Sequence, residues 1–258
     1  MEQAQPRGSG VAPAFLVSLA IVLSTLIAAG VFYKSKCLSD ALSVTGSADR
    51  TIVSDVIKWT ASFSRTADPD ALVGGNEAMA SDLKTVLAYL KSRGVAETDV
   101  KVQPMTVAMI CDAQGSFSYD KFGNQTCGAN RAAGYTLQQS IVVESSDVEK
   151  LGKVTEEATG KLVAQGILFT SQNVEYYYSK LADLKLDLLD DATRNAKDRA
   201  DRIARSTGKR LGELRDASMG VFQVTAVNSS DISDYGAYDT SSIDKKMTAV
   251  VKASFSLR

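Results

Sequence analysis

The stretch VIKWTASFS, Val56–Ser64, decides how the rest of the chain is read. Ile57, Trp59, Ala61 and Phe63 alternate with Lys58, Thr60, Ser62 and Ser64. A period of two sends one set of side chains into a core and the other toward water, so the stretch is a half-buried strand. GYTLQQSIVVE, Gly134–Glu144, repeats the pattern with Tyr135, Leu137, Gln139, Ile141 and Val143. KMTAVVKASFSLR, Lys246–Arg258, does so again with Met247, Ala249, Val251, Ala253, Phe255 and Leu257. One-sided alternation of this kind suits antiparallel sheets with one covered and one wetter face.

Helical spacing fills the intervals. Met79, Leu83, Val86, Leu87 and Leu90 predict a helix over 72–93, stopped by Gly94. Val148, Leu151, Val154, Ala158 and Leu162 predict a second, capped by the preceding Ser-Ser-Asp. A third runs from Leu181 to about Thr207, with Gly208 beyond its end. The fold class is therefore α+β, with about three helices and two similar halves in one domain spanning 42–258. No Pro-rich or Gly-rich linker divides it.

The third helix carries the most conspicuous charge. DATRNAKDRADRIARSTGKR, Asp191–Arg210, holds seven Lys/Arg against three Asp. Ala192, Ala196, Ala200 and Ala204 fall every fourth residue, and Leu181, Leu184, Leu188 and Ile203 extend that stripe. On the other side Asp190, Asp198 and Asp201 each precede an arginine by four, a spacing that supports a helix by about 0.2–0.5 kcal/mol per pair. Arg205, Lys209 and Arg210 sit where the helix dipole favours cations. The stretch reads as the wet side of a packed helix. No aromatic platform is interleaved with the basic residues, which argues against nucleic acid, as does a formal net charge of −1.

The 258 residues contain no histidine, which excludes His-based triads, His-ligated zinc and His acid–base chemistry. Apolar residues make up 45%, enough for a sizeable core. No catalytic, cofactor-binding or metal-ligating residue is assigned. The glycines of VTGSAD and VGGNEAM have neither Walker nor dinucleotide spacing. DLKLDLLDD offers carboxylates for a hard cation, but acidic residues are expected where a helix begins. Tyr176, Tyr177 and Tyr178 lie on a strand, where two rings would point one way and one the other. The polar loop 228–246 is either mobile or a contact surface.

At the other end, no charge interrupts residues 8–33. The apolar body 11–33 would extend roughly 35 Å as a helix, enough for a ~30 Å hydrocarbon layer. A tail (1–10), a transmembrane anchor (11–33) and a linker (34–41) thus precede the domain. Cleavage after Ile27–Gly30 remains the alternative. Arg7 on one side and Lys34 and Lys36 on the other leave orientation undecided by charge. Ala20, Ser24 and Ala28 recur at a spacing that permits close helix approach in a membrane. Cys111 and Cys127 flank a polar insert. A bridge between them would close a loop of roughly 15 residues, worth up to ~3 kcal/mol, and would place the domain in an oxidising compartment. Cys37 is then the odd thiol.

Four stretches in order, LSVTGSADRTIVSDVIKWTASFS, LKSRGVAETDVKVQPMTV, GYTLQQSIVVESSDVEKLGKV and DDATRNAKDRADRIARSTGKRLGEL, resemble the SIMPL-domain family (DUF541) of bacterial envelope proteins. The resemblance covers 42–258, and its most specific elements are the VTGSA opening and the NAKDRADRIARSTGKRLGEL block. It implies an α+β domain with an internal pseudo-repeat, secreted or anchored in the periplasm. Some members are thought to form ring-like oligomers. The family has no established catalytic residues, so none is carried over. The longer apolar segment and the Cys111–Cys127 insert depart from the usual pattern.

Together these readings lead to an expected single-pass inner-membrane protein with a periplasmic domain. It would be non-enzymatic, self-associating, and structural or stress-protective. The alternatives are a ring that passes or binds small solutes and, ranked last, a hydrolase using carboxylates alone.

Overall fold

The computed structural model describes residues 11–38, 41–111, 117–119, 121–123, 125–127, 132–229 and 233–258. The chain runs through α1 (Val11–Leu38), β1 (Ala41–Val53), β2 (Val56–Ala67), α2 (Leu72–Ser92), β3 (Val100–Val102) and β4 (Thr106–Cys111). It continues through β5 (Phe117–Tyr119), β6 (Gln125–Cys127), β7 (Ala132–Ser145), α3 (Val148–Val163), β8 (Leu168–Tyr177) and α4 (Leu181–Ser206). It ends with β9 (Leu211–Met219), β10 (Gln223–Ala226) and β11 (Asp244–Leu257). The fold is α+β with antiparallel sheets. Its contacts divide it into two compact units, each built from separated segments. Unit one holds the chain up to Ala48 with 186–221 and 248–258, and unit two holds 49–185 with 222–247.

Among the described residues no helix is long and apolar enough to cross a membrane. The side chains described on α1 are those of 16–32, seventeen residues, all exposed and mostly apolar. They cover roughly 25 Å, short of a ~30 Å hydrocarbon layer. The stretch expected as an anchor, 11–33, lies within α1, whose helical backbone runs from Val11 to Leu38.

In unit two the alternation of VIKWTASFS is realised in β2. Ile57, Trp59, Ala61 and Phe63 are fully buried. The sheet order is β3–β7–β2–β8, with β4 also on β7. Register places Trp59 between Val143 of β7 and Val174 of β8. Both helices, α2 through Met79, Val86 and Leu90 and α3 through Leu151, Val154, Ala158 and Leu162, share one core with the inward residues of the sheet. Burying a side chain the size of Phe63 favours folding by about 1.5–3 kcal/mol. The indole of Trp59 donates to Ser171 Oγ at 2.8 Å, so its polar edge is not stranded. Asp147 caps α3, its Oδ1 accepting from Lys150 N at 3.0 Å, as the Ser-Ser-Asp signal predicts. On β7 the pattern is only partly followed, since Tyr135 and Gln139 are half-buried.

In unit one β11 pairs with β1 and, antiparallel, with β9. Ala192, Ala196, Ala200 and Ala204 of α4 are fully buried. The reason lies on β1. A Cβ added to Gly46 would sit 2.3 Å from the Ala192 carbonyl oxygen and 2.3 Å from the Ala196 nitrogen. Strand and helix backbones touch there, and methyl groups are the largest side chains that the facing helix stripe accommodates. Ser47 N donates to Asn195 Oδ1 at 3.2 Å and Arg199 Nη1 to the Thr45 carbonyl at 3.0 Å, one on each side of the contact.

Two details of the helix differ from the sequence reading. Ile203 is not part of the buried stripe and is 44% exposed. Its position is one residue off the alanine row, about 100° around the helix from Ala204. Arg194 pairs with Asp191 at 3.1 Å and not with Asp190. The expected Arg205–Asp201 pair forms at 2.6 Å.

Gly46→Ala should cost about 2–3 kcal/mol, because backbone has to move to admit a methyl group. Gly152→Ala, on a part of α3 where an added Cβ meets nothing within 4 Å, should stabilise by about 0.5–1 kcal/mol. Urea unfolding of the two variants beside the parent reads both. Equal midpoints for Gly46→Ala and the parent would contradict the close contact.

Candidate functional site: the ordered loop before the last strand

The segment between β10 and β11 is polar and has no helix or named strand, yet its described residues are held at many points. Val224 N donates to the Ala237 carbonyl at 2.8 Å, and Asp239 N donates back to the Val224 carbonyl at 2.9 Å. The Gln223 side chain binds the loop from inside. Its Nε2 donates to the Ser233 carbonyl at 2.6 Å and its Oε1 accepts from Ala237 N at 2.8 Å. Tyr176 N donates to the Thr240 carbonyl at 2.7 Å. Ser54 donates to the Ile243 carbonyl through both N and Oγ, each at 2.9 Å. Of the two readings, mobile loop or contact surface, the first does not fit these bonds.

The tip of the loop is a turn. Gly236 N donates to the Ser233 carbonyl at 3.0 Å, and Gly236 has φ of 89°, a left-handed conformation that glycine adopts without strain. This turn holds Tyr235 outward, 97% exposed. Tyr238, beside it, stacks at 6.4 Å from the Tyr177 ring. All three tyrosines of the run are half-buried, with Tyr176 against the unit-two core and Tyr177 beside Tyr238 of the loop.

Beneath the tip, Asp239 and Lys245 organise the base of the loop. Asp239 Oδ1 accepts from Ser241 N at 2.8 Å, Ser241 Oγ at 2.7 Å and Ser242 N at 3.3 Å, while Oδ2 is buried without a partner. Lys245 is only 1% exposed, and its ammonium donates to the Ser242 carbonyl. Burial opposes the charge on both groups. For Asp239 the hydrogen bonds from Ser242 and Ser241, helped by Lys245, outweigh it and hold the carboxyl at about 2. For Lys245 burial prevails over the attraction of Asp239, and its pKa is lowered.

A carboxylate held below its ordinary 3.8 stabilises the fold above that pH, and the contribution is lost as pH falls toward about 2. For a half-buried group, screened by solvent, it amounts to about 1 kcal/mol. Asp239→Asn should therefore weaken the protein by about that much at pH 7 and flatten the fall in stability between pH 4 and 2. Urea midpoints at a series of pH values test this, and an unchanged acid profile would contradict it.

Another concave site is an open groove of about 370 Å³ at the start of α3. Its charges are mutually paired: Arg93 with Glu157 at 2.9 Å, Lys150 with Asp147 at 3.3 Å and Lys153 with Glu149 at 2.8 Å. The backbone hydrogen bond from Lys150 lowers the pKa of Asp147. General acid catalysis by a carboxyl needs the opposite shift.

The acidic run DLKLDLLDD lies on the first turns of α4. Among the described residues no three His, Cys, Asp or Glu side chains are grouped to hold a metal ion. β4 ends at Cys111, and β6, which ends at Cys127, adjoins it. The Cys127 side chain lies outside those described. Sequence reasoning missed Gln223, Asp239 and Lys245. The Asp-Thr-Ser-Ser run after Tyr238 was a usable signal, because aspartate two or three residues ahead of serines forms side-chain turns.

No curated protein matches the chain. Residues 42–255 match the family described as SIMPL, protein of unknown function (DUF541), a span that includes β1, α4, the loop and most of β11. That match covers most of the sequence, and the chain belongs to the SIMPL (DUF541) family.

Proposed function

We propose that the protein is a non-enzymatic envelope component that works by self-association, held at the inner membrane by α1 with its SIMPL domain in the periplasm. The observation that carries the contact reading is the loop tip. A tyrosine 97% exposed on a turn whose backbone is fixed by a hydrogen bond presents a large ring on backbone that needs no ordering to bind. The α3 groove supports a role other than turnover, since its lysines and arginine are taken up in ion pairs with its carboxylates. An envelope setting accords with the helical backbone of α1, which continues for 28 residues, about 42 Å. A Cys111–Cys127 bridge fits the adjacency of β4 and β6 and would rigidify the insert in an oxidising compartment. Contact through the β9 edge is less favoured. That edge carries Glu213, Arg215 and Asp216 and two register shifts, devices that keep strands from adding.

Full-length protein purified in detergent should run as an oligomer by size exclusion with light scattering. Strictly monomeric particles at all concentrations would remove the self-association reading. Peptide mapping of exported protein under non-reducing conditions should recover residues 111 and 127 in one linked species. Free thiols at both positions would remove the bridge and the argument it lends to orientation.

A further inference from the structure

We propose that the Tyr235 turn of one copy docks on the basic C-terminal end of α4 of a second copy, Tyr235 against Ile203 and Asp234 toward Arg202. The inference rests on the self-association reading and names the surfaces that perform it. Residues 233–244 contain Asp234, Asp239 and Asp244 and no lysine or arginine. Lys245, the first cation after them, is withdrawn from the surface by burial. Asp239 is turned into the base of the loop, so the exposed charges of residues 233–244 are Asp234 and Asp244, and Asp234 adjoins the aromatic anchor Tyr235. Tyr238 and Ile243, each partly exposed, flank that anchor.

The complementary surface stands on α4 and the residues just beyond it. Arg202, Arg205, Lys209 and Arg210 are all exposed. A spacing of three brings Arg202 and Arg205 onto one face of α4, and Lys209 and Arg210 follow beyond its end. Helix-end electrostatics accounts for cations at this end, but not for an isoleucine among them. Ile203, which the alanine stripe would have absorbed one position later, is 44% exposed and follows Arg202 in the chain, about 100° around the helix from it. Tyrosine and arginine are the residues that most often dominate protein contacts, and an arginine can also stack on a tyrosine ring. The two patches differ, so the contact is head-to-tail and not a twofold one.

The test compares full-length wild type in detergent with Tyr235→Ala, Asp234→Lys, Arg202→Glu and the double variant Asp234→Lys with Arg202→Glu. Association is read by light scattering over a concentration and salt series. All three positions are exposed, and far-UV circular dichroism with urea midpoints verifies that each variant folds. Each single variant should weaken association by about tenfold or more, and the double variant should regain much of the loss. A photo-crosslinking residue at position 235 should join residues 202–210 of a second chain. Monomeric wild type overturns this proposal together with the self-association reading. Wild type that assembles while Tyr235→Ala assembles equally well overturns this proposal alone. So does crosslinking to any other surface, or a charge exchange that fails to rescue.

Discussion

Unit one depends on a place where two backbones touch. With hydrogen as its only side chain, Gly46 lets β1 lie against α4 at the Ala192–Ala196 peptide groups. A helix held that close to a strand admits nothing bulkier than methyl on its inner face, hence the row of alanines at positions 192, 196, 200 and 204. The charged residues of Asp191–Arg210 then have the outer face left to them. The density of arginine on α4 follows from that packing. The packing also leaves Arg202 and Arg205 exposed at the end of the helix. The same geometry gives a physical reason for the VTGSA opening, whose glycine meets the alanine block.

Much of this was legible in the sequence. Alternation located β2 and β11, and helical spacing located α2, α3 and α4 within a residue or two, because each of these elements buries one regular face. Tyr135 and Gln139 departed from the pattern on β7, and Ile203 departed from it on α4. These misses share a cause. Periodicity assigns a residue to a face, but burial depends on what the neighbouring element covers, and the close strand-to-helix contact on α4 leaves only a narrow covered stripe.

The loop was the least legible part, and it holds the candidate site. Its order comes from bonds between residues distant in sequence, such as Ser54 to Ile243 and Tyr176 to Thr240. It also comes from one side chain, Gln223, standing in for a neighbouring strand. Composition sees serine, aspartate and glycine there and leaves mobility and a contact surface both open. Nor does composition show that Lys245 is buried at the base of the loop, which leaves Asp234 and Asp244 as the exposed charges of residues 233–244.

A contact between unlike patches has a consequence that a twofold contact lacks. In a twofold pair each surface is used up by the other copy, and growth stops at two. When the loop tip of one copy meets the α4 end of the next, the second copy still has its own loop tip free, and addition continues until geometry closes the chain of subunits. The number of copies is then set by the rotation that relates neighbours and not by the strength of the contact. Weakening the interface would lower the concentration range over which assemblies form without changing the size of the closed species. Altering the angle at the loop base, where Asp239 and Lys245 fix the tip relative to β11, would change the size while leaving the patches intact. In such an assembly association strength and size would be separable. The first would rest on Tyr235 and the α4 cations, and the second on the buried charges beneath the loop.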